Sequence, residues 1–444
     1  MDLRKGLASQ SMVIFVARIF GAGVIFVAQA AIARFWGAEL LGEYLIIIAS
    51  VNLIAVVMPL GFETIGTYFA AEYRAKGEGK LLRGFMVRAY GHVVIAGAIL
   101  FLAGYPLAQL LGEPGKVLST HWLPVSIMAT ATAIVLVNSA LLVGLKRPMA
   151  GFFADTIFRP MLVIAAFATA TMAVTLEEKF SQMLWILAVG FAGIAFVQLL
   201  YVYRHAKRVP IEVPAREFEW KRWWRFAMPW VVIALASDFF FDLDLLLLAS
   251  LLSREDLAIF GVCTRIFSLA SFGVASVYAV TLPDVFDSHA LSDSEGFHRK
   301  IGEANMVAAW IATGLFIAVL LGGPLVLMLF GPEFAAGAMP LGVLCLALVV
   351  RAALGPAALV LSIHDHPYAS LPSIGLGLGT LVVANMWLVP RFGLMGAAVA
   401  ALFAITLWSL ALWFTAMKIA GVDVSIRARL RRRQALEANP EAGL

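Results

Sequence analysis

The chain is short of charge and of cysteine. Only 14% of its 444 residues are charged, against about 25% in ordinary soluble domains. Its two cysteines, Cys263 and Cys345, both lie inside apolar stretches, which argues against a disulfide framework. The sequence also lacks a phosphate-binding glycine loop, a nucleophile motif and a Cys/His metal spacing. These absences argue against ATP hydrolysis, catalysis and a bound metal, and we expect no enzyme.

Apolar residues, by contrast, make up 62% of the chain. They come in blocks of about twenty residues, the length that crosses a hydrocarbon layer of about 30 Å. Because the backbone must satisfy its own hydrogen bonds in lipid, such blocks are helices. We therefore predict an all-α membrane protein with twelve transmembrane helices. The predicted spans are residues 11–33, 43–71, 84–108, 122–145, 153–174, 183–203, 224–251, 257–283, 304–330, 338–362, 370–389 and 394–418.

The basic residues are distributed unevenly between the predicted loops. Most of the 33 Lys and Arg residues fall on one side, among them those of 204–225 and of the tail 427–433. The positive-inside rule makes this side cytoplasmic, with both termini there. The aromatic and basic run Glu219–Arg225 is typical of a belt in the headgroup layer. For the tail, contact with anionic lipid and plain solvation stay open.

Two halves of six helices follow from the positions of the polar segments. We predict an N-terminal lobe at 1–203, a linker at 204–223, a C-terminal lobe at 224–418 and a basic tail at 419–444. Three matches between the halves indicate a repeat: Trp36–Tyr44 with Leu252–Phe260, Gly112 with Gly331, and Pro148 with Pro367. Since six is even, the halves are parallel, and such repeats enclose a central cavity in secondary transporters.

Three short motifs carry a resemblance to a known family. They are Gly37-Ala38-Glu39-Leu40-Leu41-Gly42-Glu43-Tyr44, the turn Phe330-Gly331-Pro332-Glu333-Phe334 and the hairpin Val389–Ala398. They are similar to polysaccharide-export (Wzx-type) flippases of the multidrug/oligosaccharidyl-lipid/polysaccharide (MOP) exporter superfamily, and the resemblance covers essentially the whole chain. Two departures matter: the chain lacks the two extra helices of the peptidoglycan-precursor branch and has more intramembrane arginines than the multidrug branch.

This resemblance implies a function. Two lobes form a V that carries undecaprenyl-pyrophosphate-linked oligosaccharide from the cytoplasmic to the periplasmic leaflet of the bacterial inner membrane, for surface polysaccharide. Expected partners are the bilayer and a polysaccharide polymerase or glycosyltransferases, with no nucleic acid. A cation-coupled multidrug exporter of the same superfamily and a non-transporting scaffold for polysaccharide enzymes are the alternatives.

Ionisable residues inside the predicted spans are the candidate site, because such residues are costly in lipid. The substrate-binding candidates are Arg18, Glu63, Arg159, Arg265 and Arg351. One interpretation is a cavity in which arginines bind pyrophosphate in two-point fashion. The other is a set of neutralising pairs that lock helices together, namely Arg18–Glu63, Asp155–Arg159 and Asp244–Arg265. Both stay open at this point, with Arg18 and Arg351 favoured for substrate.

Three carboxylates of the seventh span are candidates for ion coupling: Asp238, Asp242 and Asp244. Asp238 and Asp242 are spaced i, i+4, which places them on one face of a continuous helix. Two carboxylates there favour a shared proton or cation, so proton or sodium coupling is one option and simple hydration the other. No resident cofactor is expected. The run His364-Asp365-His366 is more typical of a solvated turn than of a metal site.

Overall fold

The structure is a computed structural model that describes residues 2–172, 175–211, 219–290, 294–364 and 366–427. It forms two compact units, Met1–Ser250 and Leu251–Leu444. The described residues form helices, turns and one isolated bridge, Glu78 with Ile211. The predictions for Arg216, Asp365 and Arg429–Arg433 fall outside the described residues.

Helices make up nearly all of the first unit. They are α1 (Asp2–Trp36), α2 (Ala38–Val57), α3 (Phe62–Lys76), α4 (Gly79–Ala108), α5 (Glu113–Thr120), α6 (Trp122–Gly144), α7 (Pro148–Phe153), α8 (Arg159–Ala170), α9 (Leu176–Ala206), α10 (Trp220–Ser237) and α11 (Phe240–Leu248). A π-turn, Ala154–Phe158, joins α7 to α8.

The second unit is helical as well. Its helices are α12 (Arg254–Ala290), α13 (Ser294–Leu327), α14 (Ala338–Leu354), α15 (Ala357–Ile363) and α16 (Leu371–Ile419). Short 3₁₀ turns precede α14 and α16, at Pro332–Gly337 and Pro367–Ser370.

Ten segments of the described chain are long and apolar enough to cross a membrane. One of them, Tyr368–Ile419, has 52 residues, more than twice the length of about 20 that a crossing needs. Gly393 interrupts it with φ 52° and ψ −131°, so that α16 is a hairpin of two spans. The pair α10 and α11 supplies a further span in two pieces. The predicted all-α fold with twelve membrane spans is therefore confirmed.

The second predicted span, 43–71, is not one continuous helix. It divides at residues 58–61, between α2 and α3. Pro59 has no N–H to continue the helix, and Leu60 and Gly61 have φ values of 55° and 83°. A left-handed backbone ends an α-helix, so the local sequence overrides the apolar character of the whole segment.

The seventh and tenth predicted spans are also broken. In the tenth, Gly355 has φ 82° and Pro356 follows it, a pair that ends α14 by the same physical means. In the seventh, the break at Asp238–Phe239 contains neither proline nor glycine. Aspartate is a weak helix former, which is the only local cause there.

The predicted lobe boundary is not the boundary of the compact units. Helices α10 and α11, which the sequence assigns to the second lobe, pack against α3 and α2 inside the first unit. A sequence repeat and a compact structural unit need not have the same boundary. The division at 204–223 therefore stays a prediction about the sequence repeat. The repeat's turns do occupy matching places: Gly112 and Gly331 each precede a short helical turn, and Pro148 and Pro367 each begin one.

Candidate functional site

Arg18 is an exposed cation on α1, in the first unit. Its guanidinium lies 5.0 Å from the centre of the Phe152 ring, and its charge attracts the carboxylate of Asp238. The predicted pair with Glu63 does not form among the described residues. Arg18 therefore keeps guanidinium N–H groups available for another anion.

Glu63 lies instead in the first turn of α3 and is 8% exposed. Its Oε1 accepts a hydrogen bond from Thr64 Oγ1 at 3.3 Å, and the start of a helix favours a negative group. The neighbouring Phe62 packs against Phe85 and Trp224, so this turn faces protein. The break at 58–61 gives the first turn of α3 this orientation toward protein, which the predicted continuous helix did not include.

The predicted pair of Asp155 with Arg159 is present. Arg159 Nη1 donates to Asp155 Oδ1 at 2.7 Å, and its Nη2 donates to Thr132 Oγ1 at 2.9 Å. The guanidinium also lies 4.2 Å from the centre of the Phe191 ring. Arg159 thus ties the π-turn to α6 and α9. Because the guanidinium already contacts Asp155, Thr132 and the Phe191 ring, a structural role is favoured over substrate contact.

The three carboxylates of the seventh span do not have the arrangement that a continuous helix predicts. The chain breaks between Asp238, which is exposed, and Asp242, which is 8% exposed. The i, i+4 argument for a common face therefore fails. Asp244, further along α11, is fully buried. Its predicted partner Arg265 lies on α12 of the other unit, and that pairing stays a prediction.

Arg351 is the exposed intramembrane arginine of α14 in the second unit. It precedes the break at Gly355 by about one turn, and its guanidinium lies 6.0 Å from the centre of the Trp408 ring. Tyr278 is near enough for an electrostatic interaction with it. Arg265, by comparison, is half-buried on α12. Each unit thus presents an exposed arginine on a span and beside an aromatic ring.

A segment that the sequence assigns to the tail is docked beneath that break. We call residues 421–425 the C-terminal strap. Val422 and Val424 are 4% and 1% exposed, and Asn305 Nδ2 donates to the Val424 carbonyl at 2.9 Å. A Cβ on Gly355 would lie 2.1 Å from that carbonyl oxygen, so only glycine fits. In the sequence, the only sign of this docking is that apolar Val422 and Val424 alternate with polar neighbours.

The aromatic and basic run before the seventh span is also docked onto protein. Trp223 is 1% exposed, and its Nε1 donates to the Tyr73 hydroxyl on α3 at 2.7 Å. That hydroxyl donates in turn to Glu219 Oε2 at 3.1 Å. Of the three tryptophans in the run, Trp220 is the exposed one, at 47%. The prediction of an aromatic belt was therefore wrong for Trp223.

Arg222 is the centre of this contact, which we call the α3–α10 latch. Its Nη2 donates to Glu72 Oε2 at 2.9 Å and its Nη1 to Glu219 Oε2 at 2.8 Å. Glu72 follows the predicted end of span two and also accepts from Lys76. Burial would raise the pKa of the Glu72 carboxyl, but the hydrogen bonds from Lys76 and Arg222 outweigh it and hold the pKa below its ordinary value. The latch is thus strongest with Glu72 ionised.

Comparisons with known proteins bear on family and fold. The family described as "Polysaccharide biosynthesis protein" matches residues 7–289. No curated protein matches the chain. Among solved structures, an inward-facing multidrug resistance MATE family transporter of the MOP superfamily aligns with a TM-score of 0.73 at 14% identity, covering 92% of this chain and 98% of that one. Lipid II flippase MurJ, in an inward closed conformation, aligns with a TM-score of 0.74 at 12% identity, covering 91% and 87%.

A third structure, MATE in the bent conformation, aligns with a TM-score of 0.61 at 16% identity over 92% of this chain and 95% of that one. At such identities the likeness shows the fold alone, which is that of multi-pass MOP-superfamily transporters and flippases. The fold is the one expected for the predicted superfamily, and the family match is to polysaccharide biosynthesis proteins. Since that match spans well over half of the chain, the protein belongs to the polysaccharide biosynthesis protein family.

Proposed function

We propose that this protein is a flippase for a polyprenyl-pyrophosphate-linked oligosaccharide in the bacterial inner membrane. It moves the sugar head from the cytoplasmic to the periplasmic leaflet by alternating access, with both termini in the cytoplasm, and is not an enzyme. Family and fold support a flippase-type transporter. The observation that carries the substrate is the exposed pair Arg18 and Arg351, one in each unit.

Arginine suits a pyrophosphate for geometric reasons. Its planar guanidinium binds two phosphate oxygens at once and stays charged at any physiological pH. Arg18 and Arg351 have no carboxylate at ion-pair distance among the described residues. Such an arginine is expensive to keep in lipid, and a visiting anion lowers that cost. Among the other candidates, the engaged Arg159 and the enclosed Glu63 support the structure in this proposal. Arg265 remains a second contact for the cargo.

The direct test is leaflet exchange in proteoliposomes. A fluorescent polyprenyl-pyrophosphate oligosaccharide is reconstituted with the protein, and an impermeant quencher reports the outer leaflet. A hydrogen bond to a charged group contributes about 1.5–3 kcal/mol, so Arg18→Ala or Arg351→Ala should slow exchange by about 10- to 100-fold. The lysine variants keep the charge without the fork and should fall between. Arg208→Ala, at an exposed arginine beyond α9, is the matched control.

Each outcome is informative about a different part of the proposal. Full exchange by Arg351→Ala, in protein that inserts normally, would remove Arg351 from the site. No exchange by the wild type would refute the flippase reading. If a cationic dye moved instead, the protein would be a drug exporter.

One observation favours the cation-coupled exporter as the second candidate. The exposed Asp238 lies near Arg18, and two more carboxylates follow on α11. In this alternative Asp238, Asp242 and Asp244 bind a proton or sodium ion that drives export. Transport that is unchanged after both gradients are collapsed would rule coupling out. A scaffold would instead co-purify with a polymerase or glycosyltransferase and tolerate loss of both arginines.

A further inference from the structure

The two arms of α16 enclose a long apolar groove. The turn at Gly393 folds the arms together, so that Ser373 and Thr415 lie 3.4 Å apart through their hydroxyls and Gly377 packs against Trp408. The space between them, which we call the hairpin groove, has a volume of about 680 Å³. Its walls include Gly375, Gly379, Val383, Trp387, Phe403 and Leu410.

Two glycines, which have no side chain, widen the base of this groove. Gly375 and Gly379 lie one helical turn apart on the first arm, and a Cβ on either would meet no atom within 4 Å. The only hydroxyl groups of the lining belong to Thr380 and Thr406, and Thr380 Oγ1 is already bonded to the Leu376 carbonyl at 2.8 Å. The lining of the groove is therefore mainly hydrocarbon, which suits an apolar chain.

A cation lies at one end of the groove. The Arg391 guanidinium is 4.6 Å from the centre of the Trp387 ring, and its Nη1 donates to the Trp387 carbonyl at 2.7 Å. Of five N–H donors in a guanidinium, the others are available, because no carboxylate pairs with Arg391 in the part of the chain that the structure describes. An apolar channel that ends at a held cation complements a lipid with an anionic head.

The length of the groove selects among such lipids. Its lining on the first arm runs from Gly375 to Leu388, which is about 20 Å at 1.5 Å per residue. One leaflet of hydrocarbon is about 15 Å thick, half of the 30 Å core. The acyl chain of an ordinary phospholipid ends near the bilayer midplane, so only a longer chain fills the groove.

We propose that the hairpin groove is a docking site for the polyprenyl chain of a carrier lipid, with the lipid phosphate on Arg391. Its Arg391 end lies on the predicted periplasmic side, where the carrier's head arrives once it has crossed. The site rests on the proposed function for its biological role, and it adds a third anion contact to those of Arg18 and Arg351. The ligand is polyprenyl phosphate or pyrophosphate, with or without sugar.

The expected gain in affinity is modest, for a physical reason. A chain that leaves bulk lipid for the groove is not removed from water, so only van der Waals packing favours the move. The Arg391–phosphate contact adds a charge-assisted hydrogen bond. We expect each disrupted part to weaken binding about 3- to 30-fold.

The test uses binding, which does not require transport. Purified full-length protein in nanodiscs is titrated with a fluorescent polyprenyl phosphate that carries no sugar. Gly375→Leu and Gly379→Leu place a side chain in open space and fill the groove. Gly314→Leu and Gly322→Leu on α13 also meet no neighbouring atom and serve as matched controls. Arg391→Ala removes the head contact, and Arg391→Lys keeps the charge.

The proposal expects weaker binding by the groove variants and by Arg391→Ala, with both α13 controls at the wild-type value. Wild-type binding by Gly375→Leu and Gly379→Leu would overturn it. Equal competition by phosphatidylglycerol would also overturn it, because the groove would then hold ordinary phospholipid. If binding behaves as expected while leaflet exchange is absent from the wild type, the groove stands and the proposed function fails. If exchange is present and the groove variants bind normally, the reverse holds.

Discussion

Replacing Arg222 by alanine should loosen the first turns of α10. The loss removes hydrogen bonds of 2.9 Å and 2.8 Å to Glu72 and Glu219, whose side chains are only 12% and 19% exposed. A fully exposed ion pair contributes about 0–1 kcal/mol, whereas hydrogen bonds to charged groups contribute about 1.5–3 kcal/mol. Because Arg222 itself is 33% exposed, we expect a value between these ranges, about 2 kcal/mol.

Hydrogen–deuterium exchange of the wild type and the variant in nanodiscs measures this directly. At about 1.4 kcal/mol per factor of ten, 2 kcal/mol corresponds to about 30-fold faster exchange through local opening. The effect should be confined to the start of α10 and the end of α3. Lys221→Ala is the control, since Lys221 lies over the Trp220 ring at 5.7 Å and has no part in the latch. Unchanged protection in Arg222→Ala would refute the assignment of the latch to this residue.

Three further predictions concern single residues. The pKa of Glu72 is held below its ordinary value, so Glu72 should contribute fully to the protection of the latch amides from hydrogen exchange above about pH 4.5. This contribution should disappear as the pH falls further. In Glu72→Gln the exchange profiles should lack this acid-dependent loss of protection. Gly61→Ala, whose Cβ would be 2.2 Å from a backbone oxygen of α10 at φ 83°, should sharply lower the yield of folded protein. Gly37→Ala, at φ 95° and ψ 160° with open space around it, should show only backbone strain of about 1–3 kcal/mol, and equal yields of the two variants would contradict the close packing at Gly61. Arg159→Ala should lower the melting temperature by the equivalent of about 2–4 kcal/mol because Asp155 loses its partner, with partial rescue by lysine; an unaltered melting curve combined with lost transport would place Arg159 in the substrate site instead.

The architecture was accessible to sequence reasoning because lipid allows so few solutions. Apolar blocks of about twenty residues must be helices, and the spans follow from that alone. Breaks were harder: Pro59 and Gly355 carry local signals, but hydropathy averages over them. The break at Asp238 contains neither proline nor glycine, and the weak helix propensity of aspartate was its only local signal.

The contacts within the candidate site were less predictable. Asp155 and Arg159 are neighbours on one helix face, and spacing was enough. Trp223 and Tyr73 are 150 residues apart, so nothing local could show that the tryptophan is buried by protein rather than by headgroups. Arg18 and Arg351 were identified as costly charges, yet their aromatic neighbours come from other helices that only the fold brings close.

The position of α11 has a consequence for the order in which the nascent chain assembles. At nine residues this helix is about 13 Å long, and it carries two buried aspartates, so it cannot partition into lipid by its own hydrophobicity. It packs against α2, which is synthesised some 200 residues earlier. The surface of α2 is therefore in place after the second span and stays uncovered by α11 until the seventh span is made. A fragment that ends at Ser250 should accumulate as a stable half, whereas one that ends at Tyr203 should leave α2 uncovered and be degraded.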